Sequence, residues 1–404
     1  MSKKGVFRQI YVTVVATLTI FISGMWLGWP SSVVEKAMKH EIDINVTMDE
    51  LSWIVAMMDL GNMISPLFAG YLMDKLAGVK IRGALSSTFC IQLHFGFLLE
   101  AVVGPLVKYR TLNTMSAVFP VVFTVLAFWI PESPYYLLKK NRRVEAARCL
   151  QWYRCEQDDV KLTDELRQME VNVEREMENQ STFREVFTSP KDRKALGIVV
   201  AACITQRAGG ISCILAFFSL ILPEPAPVFP RFQYMIVFAT TIVVITITCA
   251  TLVDKVGRKP LLIISEVGLG IISAGFTVYF YMGTSLRFVI FPYALFLLFS
   301  VMYSVGVGFI PVVYLGEMFS VNIRSHCSSI ASIALASSSF ATNKIFLFVS
   351  RTYGNHAMFF LFTVVNFAGA LYSYKYAIET KGKTLLEIQQ ILEEKVKKAP
   401  LNTR

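Results

Sequence analysis

Charge is scarce in this sequence. Of 404 residues, 17% are Asp, Glu, Lys or Arg and four are His, whereas 54% are hydrophobic. The mean hydropathy is +0.52. A water-soluble protein of this length needs more charged surface, and a disordered chain is never so apolar. Ordered cysteine spacing is also missing. Cys90, Cys203, Cys213 and Cys249 lie in apolar stretches, Cys327 at the edge of another, and Cys149 and Cys155 in a charged segment, with no CxxC pair. That excludes a disulfide framework and gives no metal site. No nucleophile–base pair, metal cluster or phosphate loop is present, so the sequence does not read as an enzyme and calls for no cofactor. The formal net charge of +10 needs no nucleic-acid partner. Loops on the cytoplasmic side of a membrane collect Lys and Arg, which makes the lipid bilayer the expected partner.

What the sequence does have is long apolar runs. A hydrocarbon core of ~30 Å takes ~20 apolar residues per helix. Ten runs qualify: 11–30, 51–73, 84–106 and 112–130, then 195–222, 232–253, 261–282, 289–315, 326–349 and 356–376. The run at 84–106 carries Gln92, His94 and Glu100 and is the least apolar in character. The first run follows Lys3, Lys4 and Arg8, is longer than a signal-peptide core, and is read as an uncleaved span. With the N-terminus placed in the cytoplasm, seven basic residues fall in outer loops: Lys36, Lys39, Lys108, Arg110, Arg231, Arg287 and Arg351. Most of the 39 Lys and Arg lie inside, which sets both termini as cytoplasmic. Asn45-Val46-Thr47 then places a glycosylation sequon at Asn45 in the first outer loop. The charged stretch 131–193 has helical periodicity and predicts short amphipathic helices beneath the bundle. The expected organisation is 1–130, a four-span half; 131–193, a cytoplasmic helical linker; 194–377, a six-span half; and 378–404, a cytoplasmic tail.

Four local patterns fall on the inner side: Pro131-Glu132-Ser133-Pro134-Tyr135-Tyr136-Leu137, Asp254-Lys255-Val256-Gly257-Arg258-Lys259, Gly316-Glu317-Met318-Phe319 through Ile323-Arg324, and Glu379-Thr380-Lys381-Gly382-Lys383-Thr384. In this order they resemble the sugar porter family of the major facilitator superfamily, over nearly all of Tyr11 to Ile391. Val79-Lys80-Ile81-Arg82-Gly83 and the 316–324 stretch are most similar to the insect facilitated trehalose transporter branch. The resemblance implies an all-α membrane protein of the major facilitator fold. It also implies that Asp254, Arg258, Glu317 and Arg324, with Arg82 and Glu132, act as gate charges at the cytoplasmic mouth. Charge pairs there could form in one state of a rocking carrier and part in the other.

A sugar site needs hydrogen-bonding side chains at midplane depth against apolar or aromatic faces. The fifth span offers Gln206-Arg207-Ala208-Gly209-Gly210-Ile211-Ser212 where the family has Q-Q-x-S-G-I-N. Gln206 matches the first amide, Arg207 replaces the second, and Ser212 replaces the Asn. Asn343 falls where the family has an Asn, and Gln92 lies close to another family amide. Val312 stands where the family usually has a Trp after Pro311. Arg207 is a costly intramembrane cation, open to three roles: binding an anionic group, pairing with Glu100 or Glu266, or bracing its helix. Lys344 is a second such cation. The first span, Gly24-Met25-Trp26-Leu27-Gly28-Trp29, lacks the acid of proton-coupled relatives, which favours facilitated diffusion, with Glu100 as the one deep carboxylate against it.

Family members have twelve spans, and this chain has about ten. Asp74-Lys75-Leu76 should open a loop like that at 254, yet it runs directly into Ala77-Gly78-Val79-Lys80, so the third and fourth family helices are read as absent. The expected function is facilitative transport of trehalose or a hexose by alternating access at the plasma membrane. Two alternatives stay open: a transport-impaired isoform acting as sensor or regulator, and a carrier of another, anionic, small solute.

Overall fold

The computed structural model describes residues 3–42, 47–76, 82–155, 159–178, 183–283 and 289–397. Asn45 lies outside them, as do the side chains of Asp74 and Arg82. Among the described residues the chain is helical throughout. The first half comprises α1 (Lys3–Met38), α2 (Met48–Leu76), α3 (Arg82–Val103) and α4 (Tyr109–Phe128). Four helices follow in the linker: α5 (Pro134–Lys139), α6 (Arg143–Arg154), α7 (Asp159–Glu178) and α8 (Phe183–Thr188). The second half holds α9 (Pro190–Ala208), α10 (Ile211–Ile221), α11 (Arg231–Val256), α12 (Arg258–Tyr281), α13 (Ile290–Val305), α14 (Ile310–Glu317), α15 (Val321–Tyr353) and α16 (Asn355–Tyr376), and the tail forms α17 (Leu385–Lys397). With α9–α10 and α13–α14 each counted as one rod, ten rods stand where ten apolar runs were read. Eight rods are long and apolar enough to cross a membrane on their described residues; α2 and α3 are the other two. Only five residues separate α2 from α3, too few for a further pair of spans.

The first half is held by glycine contacts. A Cβ on Gly24 would sit 1.9 Å from the Leu93 carbonyl oxygen, and one on Gly96 would sit 2.0 Å from that of Phe21. Small residues let backbones meet where lipid supplies no hydrophobic drive between helices. In the second half α12 and α16 pack through Phe276 and Phe359, stacked at 4.6 Å. Helix α4 has no comparable partner: 11% of its apolar window is buried, against 72% for α9–α10. It touches α1 through Phe21–Phe119 (5.6 Å) and the Tyr11 hydroxyl, which donates to the Leu126 carbonyl (2.7 Å).

The linker helices, α17 and the start of α1 share one end of the bundle, here the terminal side; the opposite end is the far side. Arg8 donates to the Trp152 carbonyl (2.8 Å) and lies over that indole, while Lys194 Nζ donates to the Lys395 carbonyl (2.8 Å). The linker carries its own small core of Leu137, Leu138, Ala146, Leu150, Leu166, Met169 and Val173. Arg143–Glu170 (2.7 Å) and Arg154–Glu165 ion pairs tie α6 to α7.

Candidate functional site

Two rods are broken near mid-depth, and both breaks are stitched by side chains. In the first, α9 ends at Ala208, Gly210 takes φ +115°, and α10 starts at Ile211. An L side chain there would be strained, so Gly fits this turn. The carbonyl of Gly209, freed by the break, accepts from Asn366 Nδ2 (2.9 Å). In the second, α13 stops at Val305 and α14 begins at Ile310 with Pro311 in its first turn. The unwound stretch is Gly306–Phe309, the glycine-containing residues just before Pro311. Ser265 repairs it: its hydroxyl accepts from the Val307 N–H (3.0 Å) and donates to the Met302 carbonyl (2.6 Å). Irregular backbone at this depth persists only where such partners or a cavity satisfy it.

Gln206 links the two breaks. Its Nε2 donates to the Gly308 carbonyl (3.0 Å) and reaches the Tyr303 hydroxyl at 3.5 Å, while its Oε1 has no partner. Ser212, at the start of α10, is buried and accepts from Ser339 of α15 (3.0 Å). One turn further along α15, Asn343 donates from Nδ2 to Asp59 Oδ2 of α2 (2.9 Å), and its Oδ1 is unpaired. Arg207 is partly exposed, its Nε makes no hydrogen bond, and its charge acts on Asp59 and His94 without ion-pair contact. Ser212 and Asn343 thus meet other polar groups along one face of α15, Asn343 across the seam between the halves, while Gln206 bonds within the second half.

Among the described residues, none of the other expected residues hydrogen-bonds to Gln206, Arg207, Ser212 or Asn343. Gln92 is half-buried on α3 and bonds no described residue, and Val312 is half-buried on α14. His94 is a packed polar residue beside Thr246 (3.4 Å). Neither Glu100 nor Glu266 is the carboxylate facing Arg207. Glu100 meets Ser116 (3.4 Å) and packs under Gly28, and Glu266 packs beside Gly369. That role belongs to Asp59, a lone acid in an apolar run that the sequence reading passed over. Lys344 reaches Ser52 (2.8 Å) and lies 4.0 Å from the centroid of the Trp53 ring.

On the terminal side three of the expected gate charges meet. Arg258 bonds Glu317 (2.8 Å) and Asp254 (3.0 Å), and Thr380 donates to Glu317 (2.6 Å). Glu379 accepts from the backbone N–H groups of Arg258 (2.9 Å) and Lys259 (3.1 Å), capping α12. All of these groups belong to the second half and its tail. Arg324 donates to the Phe319 carbonyl (3.0 Å), and Glu132 stands exposed on the linker. Among the described residues, the hydrogen bonds that join the two membrane halves, Asn343–Asp59, Lys344–Ser52 and Thr246–His94, lie at mid-depth or toward the far side.

Two helical halves meeting on broken rods, with polar side chains at the seam, make the architecture of the major facilitator superfamily. The fold matches the proton:xylose symporter XylE bound to 6-bromo-6-deoxy-D-glucose with a TM-score of 0.72 and 18% identity, over 95% of this chain and 98% of that one. It matches the inward open conformation of the xylose transporter XylE from E. coli equally well, with a TM-score of 0.72 and 19% identity, over 94% and 99%.

The chain belongs to the Sugar (and other) transporter family, whose model matches residues 75–392. Curated relatives include the facilitated trehalose transporter Tret1 of Anopheles gambiae, 27% identical over 91% of this chain and 48% of that protein. Tret1 of Polypedilum vanderplanki is 28% identical over 77% and 62%, and that of Culex quinquefasciatus 24% over 96% and 87%. The chain thus spans about half the length of the Anopheles relative and under two thirds of the Polypedilum one. The Culex alignment runs over 455 positions and includes 96% of the 404 residues here, about 388, so about 67 residues of that relative have no counterpart. Two spans with their links have that length.

Proposed function

We propose that the chain carries a small sugar, trehalose or a hexose, across the plasma membrane by alternating access, with both termini in the cytoplasm. The observation that carries this reading is Gln206, an amide at mid-depth that joins two discontinuous helices and keeps a free acceptor oxygen. Discontinuous helices at a repeat interface are where carriers bind substrate, and an amide that both donates and accepts suits a sugar hydroxyl. The Tret1 relatives support trehalose as the first sugar to try. The excess of Lys and Arg on the terminal side supports that side as cytoplasmic. Asn45 remains the proposed glycosylation site, and Asn343, Arg207 and Ser212 the proposed neighbours of the sugar.

The experiment is uptake of labelled trehalose and glucose into proteoliposomes. Saturable flux is expected. Gln206→Ala loses one hydrogen bond to the sugar, of ~0.5–1.5 kcal/mol, which raises half-saturation roughly two- to twelvefold. Flux that is unsaturable, or unchanged by this substitution, refutes the site. A second reading is favoured by the five-residue link between α2 and α3 and by the bare face of α4: a transport-impaired form that binds sugar without moving it. Retained sugar binding with no flux or exchange identifies that form. Flux of an organic anion instead, abolished by Arg207→Gln, identifies a carrier of another solute.

A further inference from the structure

Facilitated diffusion was expected because α1 carries no acid, but the structure puts an acid elsewhere in the seam. Asp59 of α2 is 5% exposed and lies about 16 Å below the far end of its helix at 1.5 Å per residue. It accepts a hydrogen bond from Asn343 of α15 (2.9 Å), across the join between the halves, and the Ser339 hydroxyl of the same helix also interacts with it. The charged and titratable groups around it come from four packed elements. The charge of Arg207 on α9 acts on it, and acts also on His94 of α3. Cys213, beside Ser212 on α10, feels its charge. From α15 come Ser339 and Asn343, while Lys344, one residue on, is turned away onto Ser52 and Trp53.

We propose that Asp59 binds and releases a proton in each transport cycle, so that sugar movement through this chain is coupled to proton movement. The inference rests on the sugar-carrier reading and adds the coupled ion. With the far side closed, the ionised carboxylate has a donor in Asn343 and a counter-charge in Arg207, which together hold it in a medium where a lone charge is costly. A charge-assisted hydrogen bond is about twice as strong as a neutral one, so ionisation also fastens α2 to α15. Opening the far side pulls α2 from α15 and α9 and leaves both partners behind on the second half. Arg207 is partly exposed and keeps water. Asp59 then takes one proton from the far-side solution onto a carboxylate oxygen. When the halves close again on the far side, Asn343 and Arg207 favour the carboxylate and the same proton leaves toward the terminal side. One O–H bond forms and one breaks per cycle, and no other reactant enters.

The test uses the full chain in proteoliposomes with the membrane voltage clamped. Labelled trehalose or glucose should accumulate above equilibrium in vesicles made alkaline inside, and a protonophore should abolish the accumulation. Asp59→Asn should lose accumulation but keep sugar exchange at equal pH, and Glu100→Gln should still accumulate. Exchange without accumulation in the unsubstituted chain overturns the proposal, as does accumulation that survives Asp59→Asn. A second readout needs no substrate: the protection of amides in the 339–344 segment, taken relative to the intrinsic base-catalysed exchange rate at each pH, should fall as pH drops from 8 to 5, and Asp59→Asn should be flat. A flat response in the unsubstituted chain also overturns it. Absence of all sugar exchange at every pH refutes the sugar reading, and the hydrogen-exchange result still decides the role of Asp59.

Discussion

Gly96→Ala is a sharp perturbation of the first half. The new methyl carbon would lie 2.0 Å from the Phe21 carbonyl oxygen and 2.9 Å from the Met25 nitrogen, against 3.4 Å or more in an ordinary contact. Both neighbours are backbone, so no rotamer change relieves the clash, and α1 and α3 must part by about 1.4 Å at this point. Overpacking of that kind costs about 1–3 kcal/mol. At roughly 2 °C per kcal/mol for a large chain, the apparent melting temperature in detergent should drop by about 2–6 °C. Gly61→Ala on α2 is the matched control, because a Cβ there meets nothing within 4 Å. Alanine's better helix propensity, up to about 1 kcal/mol, leaves that variant unchanged or slightly more stable. If the two variants melt together, the close approach of α1 to α3 is wrong.

Three more expectations come from the terminal side. Arg258→Ala removes the bonds to Glu317 and Asp254; hydrogen bonds to charged groups contribute about 1.5–3 kcal/mol. Its melting point should fall further than that of Thr380→Val, and equal values would count against the network. Leu150→Ala in the linker core costs about 2–5 kcal/mol, which should speed hydrogen exchange over 134–173 while exchange in α12 and α16 stays fixed; joint loss would mean the linker is no separate core. Glu387 accepts from the Thr384 N–H (2.7 Å) and hydroxyl (2.9 Å), and these bonds hold its carboxyl below the ordinary 4.5. A lowered folded value gives stability that is present above the unfolded value and lost as pH falls through the folded one. Proteolysis of the tail should therefore rise below about pH 4.5, and Glu387→Gln should remove that pH dependence.

The ten rods were legible because hydropathy over ~20 residues is a length signal that needs no tertiary knowledge. The five-residue link was legible for the same reason, since Asp74 and Arg82 stand too close for two more helices. Rotation about each helix was not legible. Arg207 was read at the right depth, but depth alone could not say whether it faces Glu100, Glu266 or Asp59. Asp59 was hidden because its partner, Asn343, is 284 residues away. The break after α9 had a local signal, Gly209-Gly210, that was read only as part of a binding motif. Pro311 sits in the first turn of α14, where a proline is compatible with helix, and the unwinding falls on the glycine-containing residues before it.

The cap on α12 has a consequence for biosynthesis. The backbone groups of Arg258 and Lys259 wait for a carboxylate that follows 121 and 120 residues later in the chain. A ribosome releases those two positions long before it makes Glu379, so the start of this helix is born with open donors. The second bundle can lock its terminal-side rim only once translation has passed Thr380, and a message cut short before that codon leaves six rods without their fastening.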